Sequence, residues 1–256
     1  MWAFDYRFFP NQKRISISDF MDQHCWPLIG ELIKCGQVGD SGDLVIQGSI
    51  VKYLGACPEK VSLSPRFHSK WAARSYARVL KHSLRPPSWK ILGCLVHAGA
   101  NCTCARRSDL ILSENFLSIA SPITCGKCGL HVPLYRLRSL TMDEQLGVQL
   151  WNQAYRHSDA LFIGSGVGER FGYQQTASFS SPLSQDGCKV CRQLELRLKV
   201  PVYYYLNKYY GVSEKAERKR RCPRCRANWL LSKPWLNRYH FKCKRCRLIS
   251  NIAWDV

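Results

Sequence analysis

Four cysteines in the last part of the sequence have the spacing of a metal site. Cys222 and Cys225 form one Cys-x-x-Cys pair, Cys243 and Cys246 form another, and seventeen residues separate the two pairs. Two residues between cysteines allow a tight turn that directs both sulfurs to one point, about 2.3 Å from a shared Zn²⁺. Four thiolates fill a tetrahedral shell and leave no open position. The spacing therefore predicts a structural zinc site rather than a catalytic one.

A second zinc site is predicted upstream. Its proposed ligands are Cys102, Cys104, Cys125 and Cys128. The segment Cys125-Gly126-Lys127-Cys128-Gly129 is a regular Cys-x-x-Cys turn, whereas one intervening residue between the first two cysteines makes a poorer turn. His97 and His131 lie near enough in sequence to serve as alternative ligands. A metal-free turn at Cys125 and Cys128, with the other two thiols in the core, is the competing interpretation.

The remaining cysteines have simpler interpretations. Fourteen cysteines without a secretory signal favour metal ligands over a disulfide framework. Cys188-x-x-Cys191 has no partner pair, so the start of a helix is favoured over redox chemistry or metal binding. Four single cysteines are expected to be small buried hydrophobic residues: Cys25, Cys35, Cys57 and Cys94.

The segment between the C-terminal cysteine pairs fits a zinc ribbon. Residues 228–232 and 239–243 read as two strands joined by a turn, and 248–254 as a third strand. The residue after the second cysteine of such a pair commonly takes a left-handed conformation, which suits glycine. Arg226 and Arg247 stand at these positions, so both are expected to carry mild strain.

The first hundred residues combine strand and helix patterns. Trp2, Phe4, Tyr6 and Phe8 alternate with other residues at a period of two, and 68–82 has a helical period. The order β-α-β(β)-α-β is compatible with a ferredoxin-like arrangement. We therefore predict an α+β fold: an N-terminal α/β sandwich of this type with a four-cysteine zinc site, followed by a C-terminal zinc ribbon.

Further along the chain, Thr141 and Glu144 form a capping box that predicts a helix to about residue 157. Residues 164–187 are rich in Gly, Ser and Gln, and predict a domain boundary or a long surface loop. The resulting division is 1–98 as an α+β N-terminal domain, 99–187 as a middle region with the second four-cysteine site and a helix, and 188–256 as a basic zinc-ribbon domain.

Five further blocks lie between about Cys102 and Asn251. They are Ser121-Pro122-x-x-Cys125, residues 133–137, residues 201–206, Cys222-Pro223-x-Cys225, and Phe241-x-Cys243-x-x-Cys246-Arg247-Leu248-x-Ser250-Asn251. Together they resemble a family of uncharacterised bacterial proteins described as zinc-ribbon-containing and as candidates for nucleic-acid binding. The resemblance implies a zinc ribbon, and nucleic acid as a partner.

Positive charge is concentrated in the same part of the chain. Lys and Arg exceed Asp and Glu by 38 to 18, a formal net charge of +20. Residues 188–256 contain eighteen Lys or Arg against four Asp or Glu, a net of +14. Each zinc site of four thiolates would contribute −2, which leaves the whole chain at about +16. Such a segment favours polyanionic partners: nucleic acid first, an acidic protein as the alternative, and anionic lipid last.

The ribbon would gather these charges around one metal ion, as a phosphate-contacting surface requires. Aromatic side chains nearby could stack on unpaired bases, although a small ribbon also needs a core. Cations can also balance the zinc thiolates, and 213–221 reads as a solvated helix with Glu214–Arg218 and Glu217–Arg221 pairs. The predicted nucleic-acid-binding residues are Lys215, Arg218, Lys219, Arg220, Arg221, Arg224, Arg226, Lys242, Lys244, Arg245, Arg247, Trp229, Trp235 and Tyr239.

Patterns typical of enzymes are weak. The seven histidines form no His-x-x-x-His or His-Glu-x-x-His arrangement, so a catalytic zinc is unsupported. Asp159 and Glu169 are the acidic pair that a metal-dependent nuclease could use. The absence of a long apolar run and of a signal-peptide pattern predicts a cytoplasmic protein without a membrane span. We predict a non-catalytic binding module with two structural Zn²⁺ ions.

Overall fold

A computed structural model describes residues 1–96, 99–114, 120–164 and 166–255. These residues divide into two compact units. Unit 1 consists of Met1–Asn101, Ile119–Ser121 and Pro133–Leu146, and unit 2 of Cys102–Ser118, Pro122–Val132 and Gly147–Val256. The predicted α+β class is confirmed. The predicted division into domains at 1–98, 99–187 and 188–256 remains a prediction.

Unit 1 is built on a four-stranded antiparallel sheet in the order β2-β3-β1-β4. Its strands and helices, in chain order, are β1 (Trp2–Phe8), α1 (Ile17–Phe20), a π-helical turn (Met21–Cys25), α2 (Trp26–Lys34), β2 (Asp43–Gln47), β3 (Ile50–Cys57), a 3-10 turn (Pro65–Phe67), α3 (Lys70–Lys81), β4 (Ser88–Cys94) and a second 3-10 turn (Leu134–Arg136). The predicted alternation in β1 is confirmed, because Phe4, Tyr6 and Phe8 are all buried. They pack with Leu28 and Ile29 of α2 in one core.

Unit 2 contains a six-stranded mixed sheet in the order β6-β5-β7-β10-β9-β8. Strand β7 pairs in parallel with β5 and β10, and the other pairs are antiparallel. The remaining elements of the chain are β5 (Leu110–Leu112), β6 (Ile123–Cys125), α4 (Met142–Gly164), α5 (Glu169–Ala177), α6 (Pro182–Leu198), β7 (Val202–Leu206), α7 (Glu214–Arg218), β8 (Leu230–Trp235), β9 (Tyr239–Cys243) and β10 (Leu248–Ser250). Helix α4 begins in unit 1 and continues into unit 2.

Two predictions for the middle of the chain have opposite outcomes. The capping box is confirmed: the Thr141 N–H donates to the Glu144 carboxylate at 2.7 Å, and the Glu144 N–H donates to Thr141 Oγ1 at 3.3 Å. The predicted loop over 164–187 is wrong, because 169–177 and the residues from 182 onward are helical. Position 187, inside α6, requires glycine, because a Cβ there would come within 2.1 Å of the Tyr204 ring.

Among the described residues, no helix combines the length and the apolar composition needed to cross a membrane.

His68 gives unit 1 a measurable pH dependence. Burial lowers the pKa of its imidazole from the ordinary 6.5 to about 4, because the charged form loses hydration. The folded state therefore favours the neutral ring. The contribution of His68 to the free energy of unfolding is fully present above pH 6.5 and is lost as the pH falls from 6.5 towards 4.

Between pH 7 and 4.5 we expect the native chain to lose about 1 to 2 kcal/mol more unfolding free energy than His68→Gln, after a discount for partial solvent exposure. Urea unfolding followed by circular dichroism measures how the unfolding free energy of each protein changes with pH. The exposed His157→Gln is the matched control and should follow the native chain. Equal slopes for the native chain and His68→Gln would contradict this assignment.

Candidate metal centres

The C-terminal cysteines converge on one point in unit 2. Cys222, Cys225, Cys243 and Cys246 place their sulfurs within 4.8 Å of one another. Cys225 Sγ and Cys243 Sγ are 3.6 Å apart. Four sulfurs bound tetrahedrally to one zinc ion at 2.3 Å would lie about 3.8 Å from each other. The group therefore has the donor set and the spacing for one metal ion.

Two tight turns and a strand end position these sulfurs. In the first turn, the Cys222 N–H donates to the Ala227 carbonyl at 3.0 Å, and the Arg226 N–H donates to the Cys222 carbonyl at 2.9 Å. Cys243 is the last residue of β9, and β10 begins directly after the second turn. Arg226 and Arg247 have φ values of 61° and 55°, so the predicted left-handed conformation is confirmed at both.

The electrostatics of this group favour a thiolate at Cys225. The Ala227 backbone N–H, followed by the thiol of Cys246, lowers the pKa of Cys225 from the ordinary 9.0 to about 7. Burial raises the pKa of Cys246. A divalent cation between the sulfurs would offset this desolvation and stabilise all four thiolates.

The upstream cysteines form a second group. Cys102, Cys104, Cys125 and Cys128 also have their sulfurs within 4.8 Å of one another. Burial alone would raise the pKa of Cys102, but hydrogen bonds from the Cys104 N–H, Arg107 and neighbouring thiols lower it to about 7. The two groups together match the predicted number of metal sites.

Two glycines shape the turn of this second group. Gly129 has a φ of 73°, and its N–H donates to the Cys125 carbonyl at 2.8 Å. Gly126 permits a close approach, because a Cβ there would lie 2.6 Å from the Trp235 ring. Trp235 Nε1 donates to the Gly126 carbonyl at 2.9 Å. The outer strand β8 thus contacts the turn that follows the opposite outer strand, β6.

Within the described ranges, these two groups are the only sets of three or more Cys, His, Asp or Glu side chains that could hold a metal ion. His131 contributes its backbone carbonyl, which accepts from the Cys102 N–H at 2.7 Å, and its ring belongs to neither group. His97 lies outside the described residues. Asp159 is buried on α4, whereas Glu169 on α5 is exposed and accepts from the Tyr210 hydroxyl at 2.7 Å.

Cys188 and Cys191 lie inside α6, so the predicted helix start at this pair is wrong. Burial raises the pKa of Cys188 to about 11 and that of Cys191 well above its usual range. Neutral, buried thiols are poor nucleophiles, which disfavours redox chemistry. Among the single cysteines, Cys25, Cys35 and Cys57 are buried as predicted. The prediction is wrong for Cys94, which is exposed because it is the last residue of β4, an outer strand of its sheet.

Eight of the predicted nucleic-acid-binding residues present their side chains to solvent. They are Lys215, Arg218, Lys219, Arg221, Arg224, Arg226, Lys244 and Arg245. They lie on α7, on the short segment between α7 and Cys222, and on the two turns that carry the C-terminal cysteines. The predicted Glu214–Arg218 pair is present at 2.7 Å. Glu217 contacts Arg220 at 2.8 Å instead of the predicted Arg221.

Arg220 is held inside the fold. Its guanidinium contacts the buried carboxylate of Glu217, donates to the Asn251 carbonyl and lies 4.4 Å from the centre of the Phe241 ring. The Glu217 carboxylate also accepts from the Ala253 N–H at 3.2 Å. These contacts explain the position of Arg220 without a ligand.

Two further cations have carboxylate partners distant in sequence. Arg247 donates to Glu195 at 2.7 Å, which lowers the pKa of that carboxyl. Lys242 Nζ lies 3.8 Å from Asp109 and 3.3 Å from the centre of the Trp235 ring. Sequence reasoning missed both carboxylates, because no local spacing links them to the cysteine pairs.

The predicted stacking role does not fit Trp229 and Tyr239, because each is only 3% exposed. Trp229 packs on Phe241, and its Nε1 donates to the Arg220 carbonyl at 3.1 Å. Tyr239 packs on Tyr205. The ring of Trp235 is half-buried, and the Lys242 ammonium group lies over its face. The aromatic side chains of this segment therefore form its core.

Comparisons with known proteins show the family of this chain. Two family models match it, each described as a domain of unknown function: DUF2310 over residues 104–207 and DUF8594 over residues 211–256. An uncharacterized Haemophilus influenzae protein is 33% identical over 147 residues, which cover 57% of this chain and 71% of that protein. The chain belongs to its family. A second uncharacterized protein from that organism is 29% identical over 201 residues, which cover 78% of this chain and 76% of the relative.

The expected membership of an uncharacterised bacterial family is thus confirmed. The family descriptions name neither a zinc ribbon nor nucleic acid. Seven of the eight grouped cysteines lie inside the ranges matched by the family models, and Cys102 lies just before the first range. The candidate metal centres therefore belong to the part of the chain that matches the family.

Two solved structures also resemble part of the chain. One is a crystal structure of an antibiotic biosynthesis monooxygenase, which is 13% identical with a TM-score of 0.28 and covers 37% of this chain and 99% of its own. The other is Rv0793 from Mycobacterium tuberculosis, 21% identical with a TM-score of 0.28, covering 38% of this chain and 96% of its own. A TM-score this low carries no argument about fold or activity.

Proposed function

We propose that each cysteine group holds one structural Zn²⁺ ion and that the C-terminal segment is a zinc ribbon. Support comes from the two tight turns of 222–225 and 243–246 and from the antiparallel strands β8, β9 and β10 around them. Four sulfur donors close the shell around a metal, so the role is structural. For unit 1 we propose a ferredoxin-like arrangement, supported by the sheet order β2-β3-β1-β4 with helices in both crossovers.

We further propose that the chain is a non-catalytic module that binds DNA or RNA through phosphates. The main support is the set of eight exposed cations that runs from α7 to the two cysteine turns. Phosphate contacts of this kind give affinity with limited base specificity. The burial of Trp229 and Tyr239 argues against base stacking as the main contribution.

The salt dependence of binding tests this proposal. We expect the affinity for a single-stranded oligonucleotide to fall steeply with salt. Replacing Lys215, Lys219 and Arg221 by Ala should reduce the slope of log K against log[salt] by about 2, since each lost phosphate contact contributes about 0.7. Fluorescence anisotropy between roughly 50 and 300 mM salt measures the slope.

A matched triple variant controls for the change in net charge. Lys13, Lys70 and Lys90 are exposed cations of unit 1, and their replacement by Ala removes the same charge elsewhere. Equal slopes for the two variants, or no binding to any nucleic acid tested, would contradict the proposal. Co-purification with one stoichiometric acidic protein, free of nucleic acid, would favour the alternative of an adaptor or neutraliser of that protein.

A further inference from the structure

A cavity in unit 2 lies beside the C-terminal cysteine group, and its wall combines cations of the proposed nucleic-acid surface with residues of α6. It has a volume of about 470 Å³, within the range of small-molecule sites. Helix α6 contributes Arg192 and Glu195 to its wall. The two cysteine turns contribute Arg224 from one side and Lys244, Arg245 and Arg247 from the other.

The charge in this cavity is strongly positive. Five cations face one carboxylate, and that carboxylate is already bound by Arg247 through contacts of 2.7 to 3.0 Å. The other four cations are exposed to solvent, so they are accessible to a ligand. A zinc ion with four thiolates would add −2 beside the cavity, through Cys246 in its wall, and would leave a net charge of about +2. A dianion matches that charge.

The types of the cationic side chains indicate which class of anion the cavity would bind. Three of the four that remain beside the Arg247–Glu195 pair are arginines: Arg192, Arg224 and Arg245. Their planar guanidinium groups bind the oxygens of a phosphate through paired hydrogen bonds, whereas a lysine acts as a point charge. The site therefore suits a phosphate group better than a monovalent ion.

The rest of the wall is apolar. Cys191, Val202 and Tyr204 are buried side chains that face the cavity. The Cys188 and Cys191 thiols add no charge, because burial raises the pKa of both. A bare inorganic anion would leave this apolar wall uncovered, so the occupant should carry an apolar or aromatic group next to its phosphate.

We propose that this cavity binds a phosphomonoester of mononucleotide size. The phosphate would lie among Arg192, Arg224 and Arg245, with the organic part against Val202 and Tyr204. The ligand could be a free nucleotide or the phosphorylated end of a nucleic-acid strand. The site shares Arg224, Lys244 and Arg245 with the nucleic-acid surface proposed above, and Arg192 of α6 belongs to the cavity alone.

Isothermal titration of the zinc-loaded full chain with 5′-AMP and with adenosine tests the site. We expect saturable binding of AMP and none of adenosine at the same concentrations. Arg192→Gln and Arg245→Gln should each weaken AMP binding about tenfold or more, the effect of losing one charged hydrogen bond. Lys189→Gln is the matched control: it removes one exposed charge from the same helix outside the cavity and should bind AMP normally. Zinc content and circular dichroism show whether each variant is folded.

Competition identifies the source of the phosphate. Displacement of AMP by a 5′-phosphorylated oligonucleotide, but not by its 5′-hydroxyl form, would assign the site to strand ends. Displacement by neither would assign it to a free nucleotide. Equal binding of AMP and adenosine, or AMP affinity unchanged in both arginine variants, would overturn the proposal. The triple variant of Lys215, Lys219 and Arg221 should retain AMP binding, so failure of the nucleic-acid proposal would be recognised separately.

Discussion

Removing the metal ions is expected to unfold the six-stranded sheet of unit 2. Strands β5, β6 and β10 have three residues each, and they cannot be stable alone. One hydrophobic cluster of this sheet, around Ile111, Tyr203 and Ile249, contains five buried residues. Structural zinc contributes on the order of 10 kcal/mol to the folding of small domains at neutral pH. A chelator should therefore abolish the near-ultraviolet circular dichroism of the tyrosines and tryptophans in this sheet.

Cysteine variants separate the two centres. Native mass spectrometry should find two zinc ions in the native chain and one each in Cys222→Ser and Cys125→Ser. Cys94→Ser is the matched control, because Cys94 is exposed and lies outside both groups. It should retain two ions and the native melting temperature. A chain free of metal that keeps its near-ultraviolet spectrum would contradict the structural role of both centres.

Arg220→Met is expected to destabilise unit 2 by about 3 kcal/mol, the lower end for breaking a buried ion pair. The Glu217 side chain is only 7% exposed, and the substitution would leave its carboxylate without its cation. The bond to the Asn251 carbonyl and the contact with the Phe241 ring would be lost as well. Urea unfolding of the zinc-loaded protein measures the change.

Lys219→Met is the matched control, because Lys219 is the exposed neighbour of Arg220 and loses the same charge. Its unfolding free energy should change by less than about 0.5 kcal/mol. If Arg220→Met is as stable as the native chain but binds nucleic acid more weakly, our assignment is contradicted. Arg220 would then bind the ligand and would not be a structural residue.

Local patterns in the sequence predicted much of the fold. The alternation of Phe4, Tyr6 and Phe8 places β1, and the Thr141–Glu144 box places the start of α4, because both signals arise from neighbouring residues. The segment 164–187 was misread, since Gly and Ser are typical of loops. In the structure Ser181 caps α6, and Gly187 allows Tyr204 to pack against that helix. Such packing depends on residues that are distant in sequence.

The same distinction holds for the candidate sites. Cysteine spacing predicted both sulfur groups, because two residues between ligands impose a turn. Spacing could not show which cations are held by the protein itself. The partner of Arg247 is Glu195, 52 residues away, and that of Lys242 is Asp109. The cavity likewise depends on how α6 packs, which composition does not reveal.

The hydrogen bond from Trp235 to the Gly126 carbonyl has a consequence for how the two proposed ions would be acquired. It joins the loop of one cysteine group to the hairpin that leads into the other. Whichever ion arrives first orders this shared contact and so reduces the conformational entropy that the second must overcome. Loading should therefore be cooperative, with chains that carry a single ion scarce at every intermediate zinc concentration.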